Sequence, residues 1–262
     1  MKKTVIILAF IFTCSSSFAQ ETEVTADEAA PASKLAIGVD VVSANLWRGI
    51  KLTSNKMAFQ AYVEYAFTDK FTFGVWGTTN FTHDEKSYDE FDWYAAYQVS
   101  PVISLMVSDY YYDIPGYSSS YFNYDNTSNQ AIDLSLLLDF SEKGVPVDFQ
   151  WNTIIAGNDF DENDDRNYSS YSEIGYSHSI ESAGIDLRMF AGAVIGKSNY
   201  YVTDEFVFTN VGLNVAKEIV FSDNFSLPVF VRYTYNDNGN PNRNWDGTVN
   251  SFISGGMSFT IK

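Results

Sequence analysis

The chain has 262 residues, 16 basic against 33 acidic for a formal charge of −17, with one cysteine and 17% aromatic residues. That acidic balance excludes nucleic acid as a partner, because phosphate binding needs clustered Lys and Arg, and one cysteine cannot build a disulfide framework or a thiolate metal site. No apolar run reaches the roughly 20 residues of a membrane-spanning helix.

Lys2 and Lys3, the apolar run from Val5 to Phe12, and Ser17-Phe18-Ala19 form the three parts of a secretory signal peptide, predicted at residues 1–19. Phe12 and Thr13 do not suit Cys14 as a lipidation site, so cleavage is expected after Ala19. It removes the only cysteine and leaves 14 basic and 33 acidic residues, a net of −19. Residues 20–33 are acidic, small and unpatterned, and read as a disordered periplasmic lead. Residues 34–262 read as one domain.

From Leu35 the chain alternates. Leu35, Ile37, Val39 and Val41 are separated by Ala36, Gly38 and Asp40, and Met57, Phe59, Ala61, Val63, Tyr65 and Phe67 repeat the pattern. Successive side chains of a strand point to opposite faces, so each stretch has one oily wall and one wet wall. Strands are predicted near 35 to 47, 57 to 67, 71 to 81, 90 to 99, 102 to 112, 128 to 140, 146 to 157, 169 to 180, 185 to 196, 205 to 217, 226 to 236 and 248 to 261. About ten residues suffice to cross a bilayer when tilted. The predicted fold is therefore all-β, a transmembrane up-and-down antiparallel β-barrel of about 12 strands.

The connections alternate in length. Thr68-Asp69-Lys70, Ser100-Pro101, Ser141 to Val145, Glu181 to Gly184 and Phe221 to Phe225 are tight, whereas Thr82 to Asp89, Asp113 to Thr127, Asn158 to Tyr168, Lys197 to Asp204 and Asn236 to Gly247 are long and polar. Membrane barrels have short periplasmic turns and longer external loops, so an even strand count places both termini in the periplasm. Phe67, Phe71, Trp93, Tyr200, Tyr201, Phe206, Phe221, Phe225 and Tyr235 lie at strand ends, where interfacial girdles are expected. A soluble β-barrel would leave the export signal and the two unequal rims unexplained.

Ser43-Ala44-Asn45-Leu46-Trp47-Arg48-Gly49, Phe59-Gln60, Gly74-Val75-Trp76-Gly77 and Asp89-Glu90-Phe91-Asp92-Trp93-Tyr94 together resemble a bacterial family of TorF-type porins, Gcw_chp. The resemblance covers roughly residues 36 to 113 and implies an outer-membrane β-barrel with no attached enzymatic activity. The chain departs from the usual barrel ending. It closes on Met257-Ser258-Phe259-Thr260-Ile261-Lys262, with Phe259 near the end in place of a terminal aromatic residue.

If the oily positions face lipid, the alternate ones line a lumen. Candidate lumen and selectivity residues are Arg48, Glu64, Glu90, Asp92, Asp133, Asp148, Asp186, Arg188 and Arg232; with Asp40, Asp139 and Glu173 of the same parity, acids outnumber bases nine to three. Unpaired charge in a narrow low-dielectric pore is costly, so either water or pairing of acids with arginine is required. Twelve strands fall between the filled interior of about eight and the open channel of about sixteen to eighteen.

Other chemistry is disfavoured. A lipid-facing hydrolase needs His and Ser two positions apart on one strand, yet His178 has Tyr176 and Ile180 there, and His83 has Phe81 and Glu85. The run Asp159, Asp161, Glu162, Asn163, Asp164 and Asp165 invites calcium but fails as an EF-hand, with Asp164 at the glycine position and Ser170 at the terminal glutamate position.

The expected function is a passive channel for ions or small hydrophilic solutes with an acidic lumen, in the outer membrane of a Gram-negative bacterium, needing no cofactor and performing no catalysis. Expected partners are outer-membrane lipid and lipopolysaccharide, the barrel-insertion machinery, and the solutes. The alternative is a non-conducting barrel whose Tyr- and Asp-rich loops bind a ligand or partner.

Overall fold

A computed structural model describes residues 34–53, 56–82, 89–114, 120–198, 200–222, 225–238 and 250–261. The signal peptide and acidic lead expected at 1–33, and His83, lie outside the described residues.

The strands are β1 (Leu35–Val42), β2 (Leu46–Trp47), β3 (Ile50–Lys51), β4 (Ala58–Ala66), β5 (Phe71–Thr79), β6 (Asp89–Gln98), β7 (Ile103–Asp113), β8 (Gln130–Asp139), β9 (Val147–Gly157), β10 (Ser170–Ile180), β11 (Ile185–Val194), β12 (Val207–Ser222), β13 (Phe225–Tyr235) and β14 (Ser251–Ile261). β1 and β4 to β14 form a closed barrel of twelve strands, each antiparallel to both neighbours. Closure pairs β1 with β14 on one side and with β4 on the other, so that Val39 lies opposite Phe259 and Ala61.

The alternation becomes two walls. Val39, Val63, Ile174, Val231 and Ile253 point outward, Val231 being 56% and Ile253 74% exposed, while Asp40, Gln60, Glu64 and Asp92 are buried inside. Outside, aromatic pairs sit at both ends of this apolar wall. At the short-turn end Phe67 packs on Phe71 at 5.7 Å and Phe221 on Phe225 at 5.4 Å; at the long-loop end Phe59 packs on Phe81 and Phe206 on Phe208, both at 5.2 Å.

One strand boundary is corrected. The alternation suggested a first strand running to Trp47, but β1 stops at Val42, and the Ser43 N–H makes a last bond to the Gly255 carbonyl at 2.8 Å. Leu46 and Trp47 instead fold back on Lys51 and Ile50 as a separate hairpin, β2 and β3. Its turn residues Arg48 and Gly49 both have positive φ, 47° and 81°, the backbone of the two-residue hairpin turn whose twist matches its strands.

The closing register is testable by cross-linking. In a Cys14→Ser background, Val39→Cys with Phe259→Cys should oxidise to a disulfide, since directly opposed Cβ atoms lie about 4.5–5.5 Å apart. Preferential bridging of Val39→Cys to Met257→Cys would mean a slipped seam.

Candidate functional site

The lumen is organised around the inward hairpin. Asn45 anchors its base: the Asn45 N–H donates to Thr53 Oγ1 at 2.8 Å, the Leu52 N–H to the Asn45 carbonyl at 2.8 Å, and Gln60 Nε2 to Asn45 Oδ1 at 3.0 Å. Gly49 runs against β12 so closely that a Cβ there would overlap the Thr209 carbonyl, and its own carbonyl accepts from Asn236 Nδ2 at 2.9 Å. Arg48 holds a left-handed backbone that costs a non-glycine residue on the order of 1–3 kcal/mol and persists only where its surroundings determine it.

Those surroundings form a slot. The guanidinium of Arg48 lies 4.7 Å from the Trp47 ring centre and 5.3 Å from that of Tyr171. It pairs with Asp133, and its Nη1 donates to the Tyr201 hydroxyl at 2.7 Å. Tyr110 donates to the same Asp133 carboxylate at 2.9 Å. Trp47 stacks on Tyr201 at 5.1 Å with the planes 7° apart, and Tyr201 on Tyr171 at 6.2 Å. Tyr171, Tyr201, Ile154 and Asp133 have no exposed surface.

A second cluster adjoins it towards the short-turn end. Arg188 grips Asp148 through two bonds of 2.6 and 3.1 Å and donates to Glu173 at 2.9 Å. Glu173 accepts from Tyr171 at 2.5 Å and from Asn210 at 2.6 Å, and Asn210 in turn accepts from Arg232 at 2.8 Å. Arg232 also donates to Thr234 at 3.1 Å and lies 4.2 Å from the Phe190 ring centre. The two clusters meet at Tyr171; Arg48 pairs with Asp133, Arg188 with Asp148 and Glu173, and Arg232 reaches Glu173 only through Asn210. Such matching matters because a buried charge left without its partner is strongly destabilising.

The remaining acids are held by other groups. Glu64 accepts from the Tyr94 hydroxyl at 2.5 Å, and Asp92 from the Tyr111 N–H at 3.3 Å. Glu90 shares the inner face of β6 with Asp92. Among the described residues Glu64, Glu90 and Asp92 make no ion pair, and Glu64 Oε2 and Asp92 Oδ2 are buried without a hydrogen-bond partner. Asp186 is half-buried near the short-turn end, where Ser179 donates to it at 2.6 Å. Of the nine candidates, the structure thus brings together Arg48 with Asp133, Asp148 with Arg188, and Glu90 with Asp92.

Two features differ from expectation, and a third, at Asp109, was not anticipated. Tyr200 and Tyr201 are not girdle residues: their loop folds inward, Tyr201 packs on Trp47, and Tyr200 bonds Tyr112. Arg48 reaches the interior through its hairpin turn, not through the parity of a continuous β1. Asp109 has outward parity, opposite Trp93, but is covered by the loop after β7, where Tyr124 bonds it and Gln130 Nε2 donates to it at 2.6 Å. The Arg-Gly pair between Leu46-Trp47 and Ile50-Lys51 was the sequence signal for the hairpin.

In the acidic loop, Asp159 accepts from the Ser169 N–H at 2.7 Å and hydroxyl at 2.5 Å. Asp161 accepts from the Asn163 and Asp165 N–H groups at 2.8 and 3.1 Å, and from Lys197 at 3.2 Å. Among the described residues no group of three or more His, Cys, Asp or Glu is arranged to hold a metal.

The profile of a bacterial family of proteins of unknown function, Gcw_chp, matches residues 26–225. The chain belongs to this family. No curated protein matches it. Among solved structures, the NanC porin is 10% identical, with 87% of this chain and 99% of that one covered at a TM-score of 0.47. An outer membrane channel from Pseudomonas putida F1 is 12% identical, with 92% and 99% covered at a TM-score of 0.44.

Two outcomes follow from these contacts. Arg188→Ala leaves Asp148 and Glu173 without their cation, so it should cost about 3–5 kcal/mol, read as a lower urea midpoint, with Arg188→Lys recovering part of the loss. The Asn163 and Asp165 amides, with Lys197, hold the Asp161 carboxyl below the usual carboxylate range. A lowered folded-state value gives stability above the unfolded pKa that is lost as pH falls through the folded one. Pepsin cleavage within residues 158–169 should therefore accelerate only below the ordinary aspartate value of about 3.9, and Asp161→Asn should abolish that step.

Proposed function

We propose that the protein is an outer-membrane barrel of a Gram-negative bacterium, exported by its signal peptide, that acts as a passive channel for ions or small hydrophilic solutes. The observation that carries this reading is the two-faced wall: a continuous apolar exterior around a lining of Asp, Glu, Arg, Asn, Gln and Ser. In water such an exterior would be an aggregation surface, whereas in a bilayer it meets its own kind. The aromatic pairs at both ends of the wall suit the two interfaces. Outer-membrane lipid and lipopolysaccharide would surround it, and the β14 strand with Phe259 would be what the insertion machinery reads.

Selectivity is assigned to the lining. Glu64, Glu90 and Asp92 lie on the inner faces of β4 and β6 without an arginine partner among the described residues, and their carboxyl oxygens offer cations a polar lining on that side. Arg188 and Arg232, bound to Asp148 and Asn210, serve as fixed supports of the opposite side. No catalytic role is assigned. His178 lies exposed on the outer wall of β10, opposite Leu187, with Tyr176 and Ile180, not serine, two positions away on its strand.

A second reading draws on the buried surfaces of Tyr171, Tyr201 and Ile154, which fill the lumen at the long-loop end. On that reading the barrel does not conduct, and its loops bind a ligand or partner.

Planar-bilayer recording separates the two. Stepwise conductance with a reversal potential favouring cations in a salt gradient is expected, and Glu64→Gln with Glu90→Gln should move that potential towards zero. Silence both from the wild type and from a chain with Leu46 to Lys51 replaced by a Gly-Ser linker, with insertion verified by heat-modifiable gel migration, would leave the non-conducting barrel.

A further inference from the structure

We propose that the hairpin Leu46 to Lys51 is an internal plug, latched across the lumen by Arg48, that closes the long-loop end of the barrel. This regulation presupposes the channel proposed above.

The topology makes the hairpin separable. β2 and β3 pair only with each other, and β1 joins β4 directly, so the barrel is complete without them. Withdrawal of the hairpin breaks no hydrogen bond of the barrel ladder. Its position makes it obstructive. In the ring of strands, β8 with Asp133 is five places from β1 in one direction, and β10 with Tyr171 is five places in the other. A hairpin that leaves the rim beside β1 and touches both residues has crossed the full diameter of a twelve-stranded barrel.

The polar attachments on the far side include the ion pair of Arg48 with Asp133 and the bond from Arg48 to Tyr201, with Trp47 and Ile50 packed on Tyr171 and Tyr201; nearer β1, Asn236 donates to the Gly49 carbonyl. Because Arg48 and Asp133 are both buried, neither tolerates the intermediate in which only one is solvated, and the attachment behaves as a two-position latch.

Towards the short turns Asp148, Gln150 and Asp186 are only half-buried, so the β9 to β11 side of the lumen is accessible there, whereas Trp76, Tyr94, Ala96 and Met106 pack inside β5 to β7. Among the described residues the hairpin is the element that spans from β1 to the far strands.

The test compares the bilayer conductance of intact protein with that of Arg48→Ala, Asp133→Asn and the chain with Leu46 to Lys51 replaced by a Gly-Ser linker, each verified as inserted by heat-modifiable migration. At least a tenfold rise in open probability or mean conductance is expected for all three. The linker variant removes the hairpin without leaving a buried charge on it, so it reports even if a point variant fails to insert. Equal conductance in wild type and linker variant overturns the plug while the channel stands. Silence from every inserted variant overturns the plug and the channel together.

Discussion

The structure depends on the hydrogen-bonded seam between the first barrel strand and the last. Once β1 pairs with β14 and β4, every strand has two neighbours, no backbone edge is left open, and each side chain must belong either to the outer wall or to a confined interior. The oily and wet faces of each strand thereby become properties of the whole molecule. Val39 and Ile253 share one continuous surface, and Asp40 and Ser254 share the other.

Confinement then sets the electrostatics. Arginines that would be mobile on a surface are held inside by carboxylates and rings: Arg188 by Asp148 and Glu173, Arg48 by Asp133 and two aromatic faces. The acids of β4 and β6 have hydroxyl, amide or acid neighbours instead. The interior is consequently uneven, with acids held by arginine on one side and acids bonded to hydroxyl or amide groups on the other. That division follows from which strands carry arginine.

The barrel was legible in the sequence because a period of two, sustained through ten-residue stretches, suits a strand with two unlike faces and does not suit a helix. Parity alone placed Glu64, Asp92, Asp133, Arg188 and Arg232 inside. The hairpin was not legible in the same way. Strands of two residues carry no measurable period, and Leu46-Trp47 continues the phase of Leu35 to Val42 closely enough to read as its extension. Tyr200 and Tyr201 were missed for another reason. A ring beside a strand end suits a membrane interface and a lumen filling equally, and only the path of the loop between β11 and β12 decides. Asp109 was not singled out at all: its parity in β7 is outward, and nothing local in β7 announces the tyrosines that cover it.

That covering has a consequence for how the molecule is placed. On the proposed membrane placement, a carboxyl on the outer face of β7 is tolerable beside hydrocarbon while Tyr124 and Gln130 satisfy it and the residues around Phe122 shield it. On that placement the residues from Tyr121 to Gln130 have to lie against the wall where it meets lipid, so that one buried acid ties the packing of a loop to the setting of the whole barrel.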